Sequence, residues 1–275
     1  MPLSVNTNIA SLTAQRSLLN SQSTLETAFE RLSTGKRINS AVDDAAGLAI
    51  SQTLTSKVNG LNQAVRNTND GISVVQIAEG ALDEVTSILQ RMRDLAVQAA
   101  NDSLSTTERG YLQTEQGKLA DALDDVAGAA KFGSTALLNG SFNAKSFQIG
   151  ADNGDTLSFS IDGISTGTLS VSSSGDVSLS TAALASSAIS TIDAALGAVA
   201  SDRATLGAIQ SQLESTVRNL ANVAENTAAA RSRILDTDYA AETANLTKAQ
   251  ILQQASTAIL AQANAQPQSV LSLLQ

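Results

Sequence analysis

Residues 54–99 read LTSKVNGLNQAVRNTNDGISVVQIAEGALDEVTSILQRMRDLAVQA. Apolar or small side chains recur there in steps of three and four: Leu54, Val58, Leu61, Val65, Thr68, Ile72, Val75, Ala78, Leu82, Val85, Leu89, Met92, Ala96 and Ala99. At 3.6 residues per turn that spacing draws one narrow apolar seam, as in a coiled coil. The two prolines stand at positions 2 and 267, so no proline interrupts it. Gly60, Gly71 and Gly80 do, each at a helix cost of roughly 1 kcal/mol. They are expected to mark close approach of another element or a local bend. Asp43 and Asp44 precede the seam, where a helix N-terminus favours negative charge.

Moving outward, Ser105 with Glu108 three residues later is a capping-box signature, so a second helix is expected to start there. Leu112, Leu119, Ala122, Leu123 and Val126 would form its inner face and pack it back antiparallel on the first. From about residue 181 to 236 the heptad spacing returns through Ile192, Ala195, Val199, Leu206, Ile209, Leu213, Val217, Leu220, Ala224, Thr227, Arg231 and Ile234. Between these helical stretches the chain turns to Ser, Thr, Gly, Asn and Asp. Residues 147–149 and 157–161 alternate as strands do, and Asn153-Gly154 between them is a two-residue hairpin signal. Residues 172–175, Ser-Ser-Ser-Gly, read as an exposed loop. The expected fold is mainly α: long antiparallel, coiled-coil-like helices from both chain ends, with a small tip containing a β-hairpin in the middle of the sequence. The expected division is 1–42 with 236–275 as terminal helices, 43–140 with 181–235 as a helical shell, and 141–180 as an exposed, Ser/Thr/Gly-rich tip.

The two ends differ from everything between them. Residues 1–25 hold one charge, Arg16, and residues 249–275 hold none. Val5, Ile9, Leu12, Leu19, Leu25, Phe29 and Leu32 keep a helical period at one end, and Leu246, Ala249, Leu252, Ala255, Ile259 and Ala263 at the other. The remaining positions are mostly Ser, Thr, Asn and Gln. A solvated helix normally carries charge on its outer face, so these faces are expected to be covered. The Gln and Asn density argues against a membrane, which leaves further copies of the chain. Ends of this kind are expected to be disordered alone and to fold when packed. The residues assigned to self-assembly are Val5, Ile9, Leu12, Leu19, Leu25, Phe29, Leu32, Leu246, Leu252 and Ile259.

Composition excludes much else. The chain of 275 residues has no Cys, His or Trp, hence no disulfide framework, thiol nucleophile, Ser-His-Asp relay or HExxH zinc helix. Catalysis and cofactors are not expected. Lys and Arg number 17 against 26 Asp and Glu, which argues against a nucleic-acid partner. No apolar run reaches the roughly 18–20 residues of a membrane span. The start of the chain lacks a basic region followed by an apolar core, so no cleavable secretory signal is expected. Asp43-Asp44 and Asp124-Asp125 are adjacent carboxylates that do not share a helix face, and they read as solvated charge. Residues 152–155, Asp-Asn-Gly-Asp, lack the twelfth-position Glu of a calcium loop and read as a turn. Asn101, Asn139 and Asn245 fit the N-glycosylation pattern by chance, for want of that signal.

The sequence resembles the bacterial flagellins. Residues 6–12 (NTNIASL), 31–40 (RLSTGKRINS), 43–50 (DDAAGLAI), 69–73 (NDGIS), 78–82 (AEGAL) and 90–101 (QRMRDLAVQAAN) are similar to the start of that family. Residues 230–234 (ARSRI), 242–248 (ETANLTK) and 270–274 (VLSLL) are similar to its close. The resemblance covers roughly 1–140 and 190–275. It departs at Phe132-Gly133-Ser134, where the family often has Phe-Asn-Gly before a hairpin. It implies a homo-oligomeric helical filament used for motility, extracellular and secreted through the flagellar export machinery with an export chaperone and a filament cap. It also implies exposed Ser/Thr that some members O-glycosylate, and recognition by an animal innate immune receptor at Arg91, Leu95 and Glu115. The alternatives are a hook–filament junction protein, or an adhesin or immune ligand as a secondary role of the same filament.

Overall fold

The computed structural model describes residues 7–172 and 177–272. Its elements are helices α1 (Ile9–Thr34), α2 (Ala45–Ala99), α3 (Thr106–Ala129), α4 (Ala182–Leu235) and α5 (Tyr239–Ser272), with strands β1 (Lys131–Phe132), β2 (Thr135–Ala136), β3 (Lys145–Gln148) and β4 (Thr156–Phe159) between α3 and α4. By compactness the chain forms two units, residues 1–58 with 225–275 and residues 59–224. This is not the three-way division read from composition, because α2 and α4 each run through both units.

In the unit of residues 59–224, α2 and α4 run antiparallel, with Arg93 meeting Asp193 at 2.6 Å and Arg203 meeting Glu79 at 2.8 Å. Leu82, Val85, Leu89 and Met92 of α2, Leu123 of α3, and Ile192, Val199, Leu206 and Leu213 of α4 share one buried cluster. Each fully buried aliphatic side chain contributes about 1.5–3 kcal/mol. That gain outweighs the glycine cost and keeps α2 unbroken. Gly60 faces Ala151, where an added Cβ would stand 3.0 Å from the alanine Cβ, and Gly71 faces Leu213 and Phe147 at 3.5 Å. Close approach explains these two; nothing lies within 4 Å at Gly80.

The end of α2 and the start of α3 are bonded together. Ser105 caps α3 and forms the full capping box with Glu108. Arg109, buried, donates from Nε to the Ala99 carbonyl and from Nη2 to that of Asn101, each at 2.9 Å. Those are carbonyls that a helix end leaves without partners.

The middle segment differs from an exposed tip. Phe142, Phe159, Ile161, Ile164, Leu169, Val171, Val177 and Leu179 all enter the buried cluster. Apolar residues thinly spaced among Ser and Gly are enough to lay the segment across the helices. Polar bonds fasten it: Thr166 donates from N and Oγ1 to the Asp124 carboxylate at 2.9 and 2.8 Å, and the Leu179 N–H donates to Gln113 Oε1. Asp124 therefore holds a loop and is not merely solvated. β3 and β4 pair antiparallel from Lys145↔Phe159 to Gln148↔Thr156. The connection is residues 149–155, longer than a two-residue turn, with Gly154 at φ +96°. A second hairpin, β1–β2, turns on Gly133-Ser134 with Gly133 at φ +61°. The loop read at 172–175 lies almost wholly outside the described residues.

One window of 18 residues in α4 has a mean hydropathy of 1.5, enough by length and composition alone to cross a membrane. That corrects the expectation that no stretch would qualify. The apolar seam of this helix, from Ala185 to Leu213, lies in the core described above.

Candidate functional site

The unit of residues 1–58 and 225–275 is built on α1 and α5. They run antiparallel, since Asn8 Nδ2 donates to the Ala263 carbonyl at 2.7 Å while Arg31 faces Glu242 at 4.0 Å. Ser11 Oγ also donates to Asn264 Oδ1 at 2.8 Å. Asn8 caps α1 as well, its Oδ1 accepting from the Ser11 N–H. At the other end Gly35 adopts φ +71° and closes α1, and the hydroxyl of Tyr239 stands 2.8 Å from where a Cβ would be. The Thr237 N–H donates to Gly35 O and the Arg37 N–H to Leu235 O, clasping the two chain segments.

Glu242 apart, the buried positions of this pair hold small residues. Ser11, Ala14, Ser21 and Ala28 on α1 and Ala249, Ser256 and Ala263 on α5 are buried. Leu18, Leu25 and Leu32, with Leu246, Gln253 and Leu260, are half-buried between them. The buried and half-buried positions together keep the three-four spacing, but not on the stripe of large residues read from the sequence.

That stripe faces outward. Ile9 is 68% exposed, Leu12 55%, Leu19 67% and Phe29 51%, and on α5 Leu252 and Ile259 are exposed too. Ile251, which periodicity did not single out, joins them. Of the residues assigned to self-assembly, only Leu25, Leu32 and Leu246 contribute to the seam within the chain. Val5 lies outside the described residues. The physical reason is volume: Ser and Ala at the buried positions let the two helices approach closely, so the leucines beside them are only half covered and the remaining large side chains point outward.

Beside this pair, Asp44 caps α2, its Oδ1 accepting from the Gly47 N–H at 2.8 Å. The Asp43 carboxylate accepts from the N–H groups of Ser40 and Asn39. The Ser40 bond and then the Asn39 bond hold its pKa below the ordinary carboxylate value. Both acids read as charge at a helix start have structural partners.

A second surface lies in the other unit. Arg91 donates from Nε and Nη2 to Glu115 Oε1 at 3.0 and 2.5 Å, across α2 and α3. Both side chains remain accessible. Leu95 does not belong with them: it is 1% exposed, on the face of α2 that packs into the core. A contact role for Leu95 is therefore corrected, because it shares the seam side with Met92 and Ala99. Among the described residues no group of three or more carboxylates could hold a metal ion.

The family model described as the bacterial flagellin N-terminal helical region matches residues 5–143. The one described as the C-terminal helical region matches residues 189–274. Flagellin B of Vibrio cholerae is 55% identical over 155 residues, which is 56% of this chain and 41% of that protein. Polar flagellin F of Vibrio parahaemolyticus is 56% identical with the same coverage. Among solved structures, a Bacillus cereus flagellin gives a TM-score of 0.50 at 31% identity, covering 60% of this chain and 94% of its own. A candidate flagellar hook-associated protein from Vibrio parahaemolyticus gives 0.59 at 15% identity over 70% of this chain and all of its own, a likeness of fold alone. The matched stretch spans less than half the length of the curated relatives.

Proposed function

This chain belongs to the bacterial flagellin family, and from that premise we propose that it is the structural subunit of a flagellar filament, polymerising through its terminal helices. One observation carries the reading: a helix pair with Arg16 as the one charge over residues 9–25 and none over residues 249–272, which packs small residues inward and presents Ile9, Leu12, Leu19, Phe29, Ile251, Leu252 and Ile259 to solvent. Large apolar side chains exposed repeatedly along both helices suit an interaction surface, and the lack of charge near the chain ends suits neighbours of the same kind. Contacts between unlike patches repeat into open helical assemblies. The seam buries Ser and Ala fully and its leucines only in part, so the pair gains much of its order from its neighbours.

The same reading places the protein outside the cell, delivered by the flagellar export machinery with an export chaperone and added beneath a filament cap. It assigns no catalysis and no cofactor. Immune recognition would be a secondary role, resting on the exposed Arg91–Glu115 pair without Leu95. Receptor signalling undiminished in an Arg91→Ala/Glu115→Ala variant would remove that role.

The primary reading is tested by seeding polymerisation and viewing the product by negative-stain microscopy. The full chain is expected to form long filaments, and chains lacking residues 1–30 or 246–275 to stay dispersed. Filaments from either truncated chain would sink the terminal mechanism.

A further inference from the structure

Val42 is 95% exposed, more than any other large apolar side chain among the described residues. It stands on a loop that is fixed, not slack. The Asp43 carboxylate accepts from the Asn39 and Ser40 N–H groups and from the Ser40 hydroxyl at 3.1, 2.9 and 3.1 Å. The Asp43 N–H returns a bond to the Ser40 carbonyl at 3.2 Å. Asp44 anchors the other side of Val42 by capping α2. A β-branched side chain also has few rotamers to lose. The loop presents an apolar knob already set in place, and a pre-set knob pays little ordering entropy when it is covered.

The same unit holds a cavity of about 320 Å³ between the 36–39 segment, the first turns of α2 and the end of α4. Ile38, Leu48 and Leu235 supply its apolar walls, with Lys36 and Gln52 beside them. No carboxylate lines it. Charge is complementary between the two features: the knob is followed directly by two aspartates, and the groove carries a lysine. At 95% exposure Val42 does not occupy the groove of its own chain.

We propose that Val42 of one copy seats in the Ile38–Leu48–Leu235 groove of the next copy, with Lys36 of the groove facing the aspartates of the incoming loop. Knob and groove adjoin through Asn39, which lines the groove and bonds Asp43 of the knob loop, and in a filament the contact runs head-to-tail and repeats from copy to copy. The inference rests on the filament reading and names the partner of a surface distinct from the terminal helices.

The chain has no cysteine, so introduced cysteines report without interference. Three variants, Val42→Cys, Gln52→Cys and Lys36→Cys, are prepared separately. The first is mixed with either of the others before seeded assembly. Any disulfide between position 42 and a groove position then joins two different chains, and it needs Cα atoms within about 7 Å. The expected result is a mixed disulfide in filaments, absent from the same mixture kept dispersed. Filaments with no mixed disulfide in either mixture, or with only 42–42 pairs, overturn the knob-and-groove contact and leave the filament reading standing. No filaments from the unsubstituted chain would overturn the filament reading, and this contact with it. As a second readout, Val42→Ser should raise the critical concentration for assembly roughly tenfold, with unchanged thermal unfolding of dispersed protein. An unchanged critical concentration contradicts the proposal.

Discussion

The α2–α4 pair and the α1–α5 pair are both antiparallel and both keep a three-four seam, yet they place their bulk oppositely. In α2 and α4 the large residues Leu82, Leu89, Met92, Ile192 and Leu213 fill the seam. Charged side chains such as Arg93, Asp193, Arg203 and Glu79 bridge the flanks. In α1 and α5 the small residues Ser11, Ala14, Ser21, Ala28, Ala249, Ser256 and Ala263 are buried in the seam, leucines such as Leu18, Leu25 and Leu246 are half-buried beside them, and Ile9, Leu12, Leu19, Phe29, Leu252 and Ile259 face out. The first pair completes its core within the chain. The second leaves its larger apolar area for something else to cover. Periodicity locates a seam in both cases; the volume at each seam position decides whether the chain satisfies itself.

The contrast can be broken by mutation, and the largest effect is expected in the self-sufficient unit. Leu89→Ala empties a fully buried seam position and should cost about 2–5 kcal/mol of unfolding free energy, read by urea titration of the dispersed protein. A cost below 1 kcal/mol would mean that seam is not the core.

A smaller effect is expected at the start of α3. Ser105→Ala removes half of a capping box and should cost about 1 kcal/mol. The partner in that box adds a pH dependence. Hydrogen bonds from the Ser105 N–H and then its hydroxyl hold the Glu108 pKa below its ordinary value. Its contribution is therefore fully present above the unfolded-state carboxylate pKa and is lost as pH falls through the lower folded-state pKa. Glu108→Gln should flatten that part of the stability profile in acid denaturation, and an unchanged profile would remove the box as its source.

The smallest effect on the dispersed chain is expected where assembly depends most on the residues. Ile9→Ser/Leu12→Ser/Leu19→Ser alters three exposed side chains, and the unfolding free energy of the 59–224 unit should stay within about 0.5 kcal/mol of the parent. Seeded polymerisation should be abolished by the same variant. Normal polymerisation would show that the outward faces are not the joining surface.

Much of the self-sufficient unit was legible in the sequence. Every seam position read in residues 54–99 is buried or half-buried, because Leu, Val and Ile announce themselves by hydropathy. Ser105 with Glu108 marked the start of α3 in the same way. The terminal seam was legible only in part: Leu25, Leu32, Leu246, Ala249 and Ala263 were read and lie in it, but Ser11, Ala14, Ser21, Ala28 and Ser256 were not, because Ser and Ala are nearly neutral in hydropathy. Ile9, Leu12, Leu19 and Phe29 share the visible period with Leu25 and Leu32 yet face outward. Leu95 was misplaced for a related reason: it lies one turn on from Arg91 on the neighbouring strip of α2, and between those two strips the helix passes from solvent into the core. The middle segment looked exposed because composition averages away the few apolar residues, Phe142, Phe159 and Ile164 among them, that fasten it. Val42 carried no signal at all, since its exposure depends on how Asp43 and Asp44 fix the loop around it.

Hydrogen exchange followed by mass spectrometry, on dispersed and on assembled protein, measures the contrast between the two pairs most directly. Amides of α2 between residues 82 and 99 should be protected in both states. Those of α1 and α5 should exchange rapidly in the dispersed chain and become protected on assembly. Protection of α1 and α5 in the dispersed chain equal to that of α2 would contradict the claim that neighbouring copies complete the terminal pair.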